Sequence, residues 1–216
     1  MRKTSNLRAR ARRKERLRTL PPSSLFSRVM SRPAGSVVTL LTGGDRRSIG
    51  RVAEVVAIVR ASPRRLPSLV KALAASNPVV VLRAADAIEK LSRLVPGRMA
   101  QHRATFLRVA ARTTDPAVRW NLIQALIRVP SSRRAALGFA RRLEVWYFVD
   151  RSAIVRTCAL DALVTMAEGD ARVRPAARAV FQDASRSGSA ALRARARRLA
   201  AEWLRGDDQP IRSVRR

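Results

Sequence analysis

Residues 114–129 read TDPAVRWNLIQALIRV. Asp115 followed by Pro116 is a helix-start signal. A carboxylate accepts from the free N–H groups of a first turn, and proline at the first helical position removes a donor that has no partner there. Val118, Leu122, Ala125, Leu126 and Val129 then recur at i, i+4, i+7, i+8 and i+11, one apolar face of an amphipathic helix. Arg119, Asn121, Gln124 and Arg128 fall largely off that face. A helix of this length cannot cover its own stripe, so it needs neighbours.

The same device recurs along the chain. Asn77-Pro78-Val79-Val80-Val81, Ser152-Ala153-Ile154-Val155-Arg156 and Ser189-Ala190-Ala191-Leu192-Arg193 match Asp115-Pro116-Ala117-Val118-Arg119. The cap positions 77, 115, 152 and 189 are 38, 37 and 37 residues apart. Ala87-Ile88, Ala125-Leu126 and Ala162-Leu163 follow at matching offsets, and Leu199-Ala200 reverses the pair in the last unit. Further stripes lie between these starts: Leu66, Leu69, Val70 and Leu73; Met99, Phe106, Val109 and Ala110; Ala136, Phe139, Leu143 and Trp146; Val173, Ala176, Ala177, Val180, Phe181 and Ala184. A helix from roughly Arg46 to Arg60 precedes the first hairpin, with Gly43-Gly44 read as a helix stop before an Asp45 cap. No stretch alternates with the period of a strand. The spacing predicts an all-α chain, a short right-handed α-solenoid of about four helical hairpins plus an N-terminal helix. The expected boundaries are a basic tail over 1–34, the solenoid over 35–205 and a short tail over 206–216.

The D-P-x-V-R start followed by an Ala-Leu pair resembles HEAT repeats, from roughly Gly44 to Trp203. GGDRRSIG, VLRAADAIEKLSR, VRWNLIQ and DRSAIVRTCALDAL are similar to segments of small bacterial HEAT-repeat proteins of unassigned function. The first unit departs with Val81 in place of the arginine, and the third and fourth lack the proline. The resemblance implies that the helices starting near Pro78, Pro116, Ala153 and Ala190 line a binding groove. It also implies a binding role without catalysis.

The chain carries 45 basic and 15 acidic residues, a net charge of +30. Arginine dominates, since Lys3, Lys14, Lys71 and Lys90 are the only lysines. A G- and C-rich coding bias would explain arginine over lysine but not the excess of bases over acids. Residues 1–34 hold eleven bases and one acid, and the remainder of the chain still carries +20. A field of that sign attracts nucleic acid, anionic membrane or acidic protein. The densest block includes Arg8, Arg10, Arg12, Arg13 and Lys14. Its like charges and the Pro21-Pro22-Ser23-Ser24 break predict a disordered or conditionally helical tail. One cysteine, Cys158, excludes an intrachain disulfide framework and suits a cytoplasmic setting, with the thiol expected to be buried. No apolar run reaches the length of a membrane span, and the charged N-terminus does not read as a secretory signal.

Arg119, Arg156 and Arg193 occupy equivalent repeat positions. They form either an internal ladder with acids such as Asp86 or Asp161 or a row of guanidiniums suited to successive phosphates. Arg195 has only Glu202 as a nearby acid in sequence, which marks it for a partner. Trp120 either packs on the next hairpin or stacks on a ligand, with packing the default. Trp146-Tyr147-Phe148 reads as a core plug, and His102 as a packed residue. The sequence has one histidine and no phosphate-loop or nucleophile-elbow motif, so no cofactor and no metal are expected. The expectation is a monomeric, non-enzymatic module that binds a polyanion, nucleic acid first and acidic protein second. The alternative is a protein-interaction scaffold whose charge reflects codon bias. A remote one is a HEAT-like glycosylase acting on alkylated DNA bases, with Asp86 or Asp161 beside Trp120.

Overall fold

A computed structural model describes residues 36–45, 48, 50–186 and 189–207, with side chains described as far as residue 200. Arg8, Arg10, Arg12, Arg13 and Lys14 therefore lie outside the described residues. Ten helices account for most of what is described: α1 (Val37–Leu41), α2 (Val52–Ala61), α3 (Leu66–Lys71), α4 (Pro78–Leu94), α5 (Arg103–Arg112), α6 (Pro116–Arg128), α7 (Arg133–Val149), α8 (Ala153–Gly169), α9 (Arg174–Arg186) and α10 (Ala190–Asp207). Among the described residues there is no strand. No described helix is long and apolar enough to cross a membrane.

The helix starts behave as their sequence dictates, with one exception. Asn77 accepts from the Val79 N–H at 2.9 Å and Asp115 from the Ala117 N–H at 2.9 Å, each followed by proline. Ser189 Oγ accepts from the Leu192 N–H at 3.3 Å. Ser152 has the extended cap backbone but no side-chain cap bond. Instead the Ser152 N–H donates to Asp150 Oδ1 at 2.8 Å. The carboxylate two residues upstream replaces the hydroxyl as the organiser of that turn.

Packing follows from the stripes. Helices α4, α6, α8 and α10 pack in succession, and α5, α7 and α9 each lie against the helix that follows. Val118, Leu122, Ala125, Leu126 and Val129 are all buried, as are Leu66, Leu69, Val70 and Leu73. Helix α8 touches α6, α7, α9 and α10, so its buried set spreads from Val155 through Cys158, Leu160, Leu163 and Val164 to Ala167, well beyond one stripe. Ala84, Ala85, Ala87, Ala159 and Ala162 are fully buried and let neighbouring backbones approach closely. Asn121 is buried as well, contrary to its expected off-stripe position, and its amide donates to the Ala117 carbonyl.

The glycine-rich stretch before α2 differs from its sequence reading. Helix α1 already ends at Leu41, and Asp45 accepts from the Ser48 N–H within an exposed turn rather than capping a helix. The turn is organised from a distance by Arg83 of α4. Its buried guanidinium donates to the carbonyls of Leu41 (3.0 Å), Thr42 (3.3 Å), Gly43, Asp45 (3.1 Å) and Ser48 (3.1 Å). Gly43, Gly44 and Gly50 have positive φ. A Cβ on Gly50 would also lie 2.8 Å from Arg83 Cζ, so glycine is required there by both backbone and space.

The caps give a direct test. Asp115→Ala is expected to cost about 1 kcal/mol, in the usual range for a lost N-cap, whereas Ser152→Ala is expected to cost a few tenths at most. Urea denaturation midpoints of the two variants check the contrast.

Candidate binding surface

Of the three arginines at matching offsets, Arg119 and Arg156 make internal contacts. Arg119 is mostly covered, with 16 % of its side chain exposed. Its Nε donates to the Ala110 carbonyl at 3.0 Å, one terminal nitrogen to the Thr113 carbonyl and the other to Asp150. The guanidinium also lies 5.8 Å from the Trp146 ring centroid. One side chain thus closes the C-terminus of α5, where carbonyls lack helical partners, and ties α6 to the turn before α8. Arg156, 37 residues on, makes a looser contact, and its buried Nε has no hydrogen-bond partner. It pairs with Asp183 at 3.6 Å and sits 5.0 Å over the Tyr147 ring. Of the two readings of these positions, the ladder holds for Arg119 and Arg156, but its acids are Asp150 and Asp183. Arg193 is exposed on α10, with its backbone N–H donating to the Ser189 carbonyl.

The acids expected in the ladder serve elsewhere. Asp86 binds Lys90 on its own helix, and Asp161 accepts from Arg195 Nε at 2.6 Å. Arg195 is therefore neutralised across the α8–α10 seam, contrary to its isolated place in sequence. Glu89, buried on α4, takes Arg93 and, at 3.0 Å, Arg128 from α6. Trp120 is half-buried and packs against the core, as its default reading held. Both carboxylates nominated for a glycosylase-like site are thus bound to cations.

The aromatic run splits. Trp146 and Tyr147 are buried, but Phe148 is 53 % exposed, so only two of the three residues plug the core. Tyr147 donates to Asp183 Oδ2 at 2.7 Å. His102 is half-buried in the 3-10 segment Pro96–His102, and burial lowers its pKa. Cys158 is buried, and burial pushes its thiol up, with Gln124 Nε2 at 3.8 Å from the sulfur.

Exposed cations are spread over the described helices, α7 and α9 included. Helices α6 and α8 display few: Arg119, Arg128 and Arg156 face their neighbours. Arg133, Arg134, Arg141 and Arg142 of α7 are exposed, as are Arg172, Arg174 and Arg178 at and before the start of α9. An open cleft of about 530 Å³ is lined by Arg133, Arg134, Leu137, Gly138, Arg141 and Arg172. Asp170 borders it, 2.7 Å from Arg172 and 3.7 Å from Arg133. The Arg172 hydrogen bonds hold the Asp170 carboxyl well below the usual carboxylate range. The sequence signal for this cleft was legible. The Arg-Arg pairs at 133–134 and 141–142 are eight residues apart, on the face opposite the Phe139, Leu143 and Trp146 stripe.

Burial and the Asp183 carboxylate push Tyr147 up from 10.0 to about 12. The fold thus favours the protonated phenol. Its stabilising contribution is whole below pH 10 and is lost as pH rises through about 12. Tyr147 is the chain's single tyrosine, so tyrosinate absorbance reports it alone. The native protein is expected to titrate near pH 12 and the urea-unfolded protein near 10. Compared with known families and with curated proteins, the chain matches no family model and no curated protein.

Proposed function

We propose that the protein is a non-enzymatic, HEAT-like helical-repeat module that binds a polyanion, with nucleic acid the first class of partner. The observation that carries this reading is the placement of the acids. Glu54, Asp86, Glu89, Asp150, Asp161, Asp170 and Asp183 each pair with an arginine or lysine. Asp115 is committed to a helix cap. Asp170 also takes Arg133, and Glu144 lies half-exposed on α7, yet the exposed arginines of the described residues still outnumber the carboxylates left to cover them, on α7 and α9 as elsewhere. Guanidiniums presented in this way neutralise phosphates and release counterions, with little base specificity. The repeat reading is supported by the cap spacing and by the successive packing of α4, α6, α8 and α10. The arginine-rich N-terminal segment, including Arg8, Arg10, Arg12, Arg13 and Lys14, adds to the same field.

A protein-binding scaffold is favoured by a different observation. Val145, Phe148, Val149 and Ile154 are large apolar side chains between 48 % and 73 % exposed, along the last turn of α7 and the first of α8. Partners retained in a pull-down after nuclease digestion, and lost on Phe148→Ser, are the outcome for a scaffold.

Titration of labelled duplex DNA and single-stranded RNA over a salt series tests the polyanion reading. Affinity is expected to fall steeply and linearly on a log–log salt plot. Absence of binding at low salt, or affinity indifferent to salt, sinks it.

A further inference from the structure

We propose that the cleft between α7 and the turn leading into α9 seats a backbone phosphate of nucleic acid. The proposal rests on the polyanion-binding reading and gives it an address. Arg133, Arg134 and Arg141 project from one face of α7, and Arg172 closes the cleft from the 3-10 turn Ala171–Val173. Four guanidiniums thus meet around about 530 Å³ of open space. The carboxylate of Asp170 pairs with Arg133 and Arg172. Among the described residues no ion pair involves Arg134 or Arg141. Arg133 and Arg134 also occupy the first turn of α7, where the helix field disfavours cations, and an anion in the cleft would relieve that conflict.

The floor of the cleft gives an independent observation. Gly138 lies in the middle of α7, where glycine is disfavoured, and a Cβ built there meets nothing within 4 Å. Packing does not ask for glycine at this position. The missing side chain keeps the space between the guanidiniums open and lets a ligand approach the helix backbone.

The chemistry selects the ligand class. Planar guanidinium forks match the oxygens of a phosphate, and several of them converge here. The residues that line the cleft include no aromatic side chain on which a base could stack, so the contact reads backbone and not sequence. Arg142, Arg174 and Arg178 continue the exposed cations beyond the cleft along α7 and α9. Such an extension suits a polymer with regularly spaced charge better than a single small anion.

The experiment uses the full chain, short duplex DNA of mixed sequence and poly-glutamate as the competing polyanion. Arg134→Gln/Arg141→Gln is expected to weaken DNA binding roughly tenfold and to reduce the log K against log salt slope by about one. Gly138→Leu leaves the charge unchanged and raises helix propensity. It is expected to weaken DNA binding several-fold without lowering the thermal midpoint, which separates loss of the seat from loss of the fold. If the parent chain binds DNA and both variants keep its affinity and slope, the cleft is not the seat, while the polyanion reading stands on other residues. No DNA binding by the parent at low salt removes both. Poly-glutamate bound as tightly as DNA, and lost in the same variants, overturns the nucleic-acid assignment.

Discussion

A buried guanidinium has five N–H donors and a charge to satisfy, and this fold depends on how it does so. Arg83, Arg103 and Arg119 each turn donors onto backbone carbonyls at or just beyond a helix C-terminus. Arg83 gathers those following α1, Arg119 those ending α5, and Arg103 the Leu126 and Val129 carbonyls ending α6. These carbonyls have no helical partner and carry the negative end of the helix field, so a cation there answers two needs together. The planar fork reaches several acceptors at once, which an ammonium on a flexible stem does not. Removing Arg103 would orphan the buried Leu126 and Val129 carbonyls, each costing about 1–3 kcal/mol.

Helix α7 meets three arginines with its rings. Arg103 of α5 lies 5.3 Å from the Phe139 centroid, Arg119 of α6 reaches Trp146 and Arg156 of α8 reaches Tyr147. Phe139 and Trp146 pack edge to face at 6.4 Å. Aromatic faces accept cations at a smaller desolvation cost than aliphatic walls, so one helix lets three neighbours bring charge inward. Burial lowers the Arg103 pKa, and Arg103 is held by carbonyl and ring contacts. Interior arginines held by carbonyls and rings consume no acids. Those that do take acids, Arg119, Arg128, Arg156 and Arg195, take ones that would otherwise temper the exterior.

The parts legible in sequence were those set by local periodicity. The stripes of α3, α6 and α7, the caps at Asn77 and Asp115 and the buried Cys158 follow from spacing within one helix. Helix phase could also have placed Phe148 outside, since it lies two residues past Trp146 on the turn of the helix. What could not be read were contacts between residues far apart in the sequence. Asp150 and Asp183 stand at different offsets from their nearest caps, so no period marks them as partners of Arg119 and Arg156. Gly44 and Gly50 looked like local punctuation because the atom they make room for, the Arg83 guanidinium, lies more than thirty residues away.

The resemblance to HEAT repeats pointed to the helices that begin near Pro78, Pro116, Ala153 and Ala190 as the binding side. Helices α6 and α8 each contact several neighbours, and their arginines are used in the seams. Helix α7 buries Phe139, Leu143, Trp146 and Tyr147 on one side and keeps Arg133, Arg134, Leu137, Gly138 and Arg141 along the other. Exposed arginines stand on α2, α4, α5 and α10 as well, Arg60, Arg93, Arg112 and Arg198 among them. Like charges at that density repel one another, and a charged surface of this kind lowers its free energy when an anion is drawn between them. Arg119 and Arg156, at matching offsets in the sequence, are taken up by Asp150 and Asp183, whereas Arg193 is exposed. The Arg-Arg pairs at 133–134 and 141–142 share no such offset, and their exposure on α7 follows from helix phase alone.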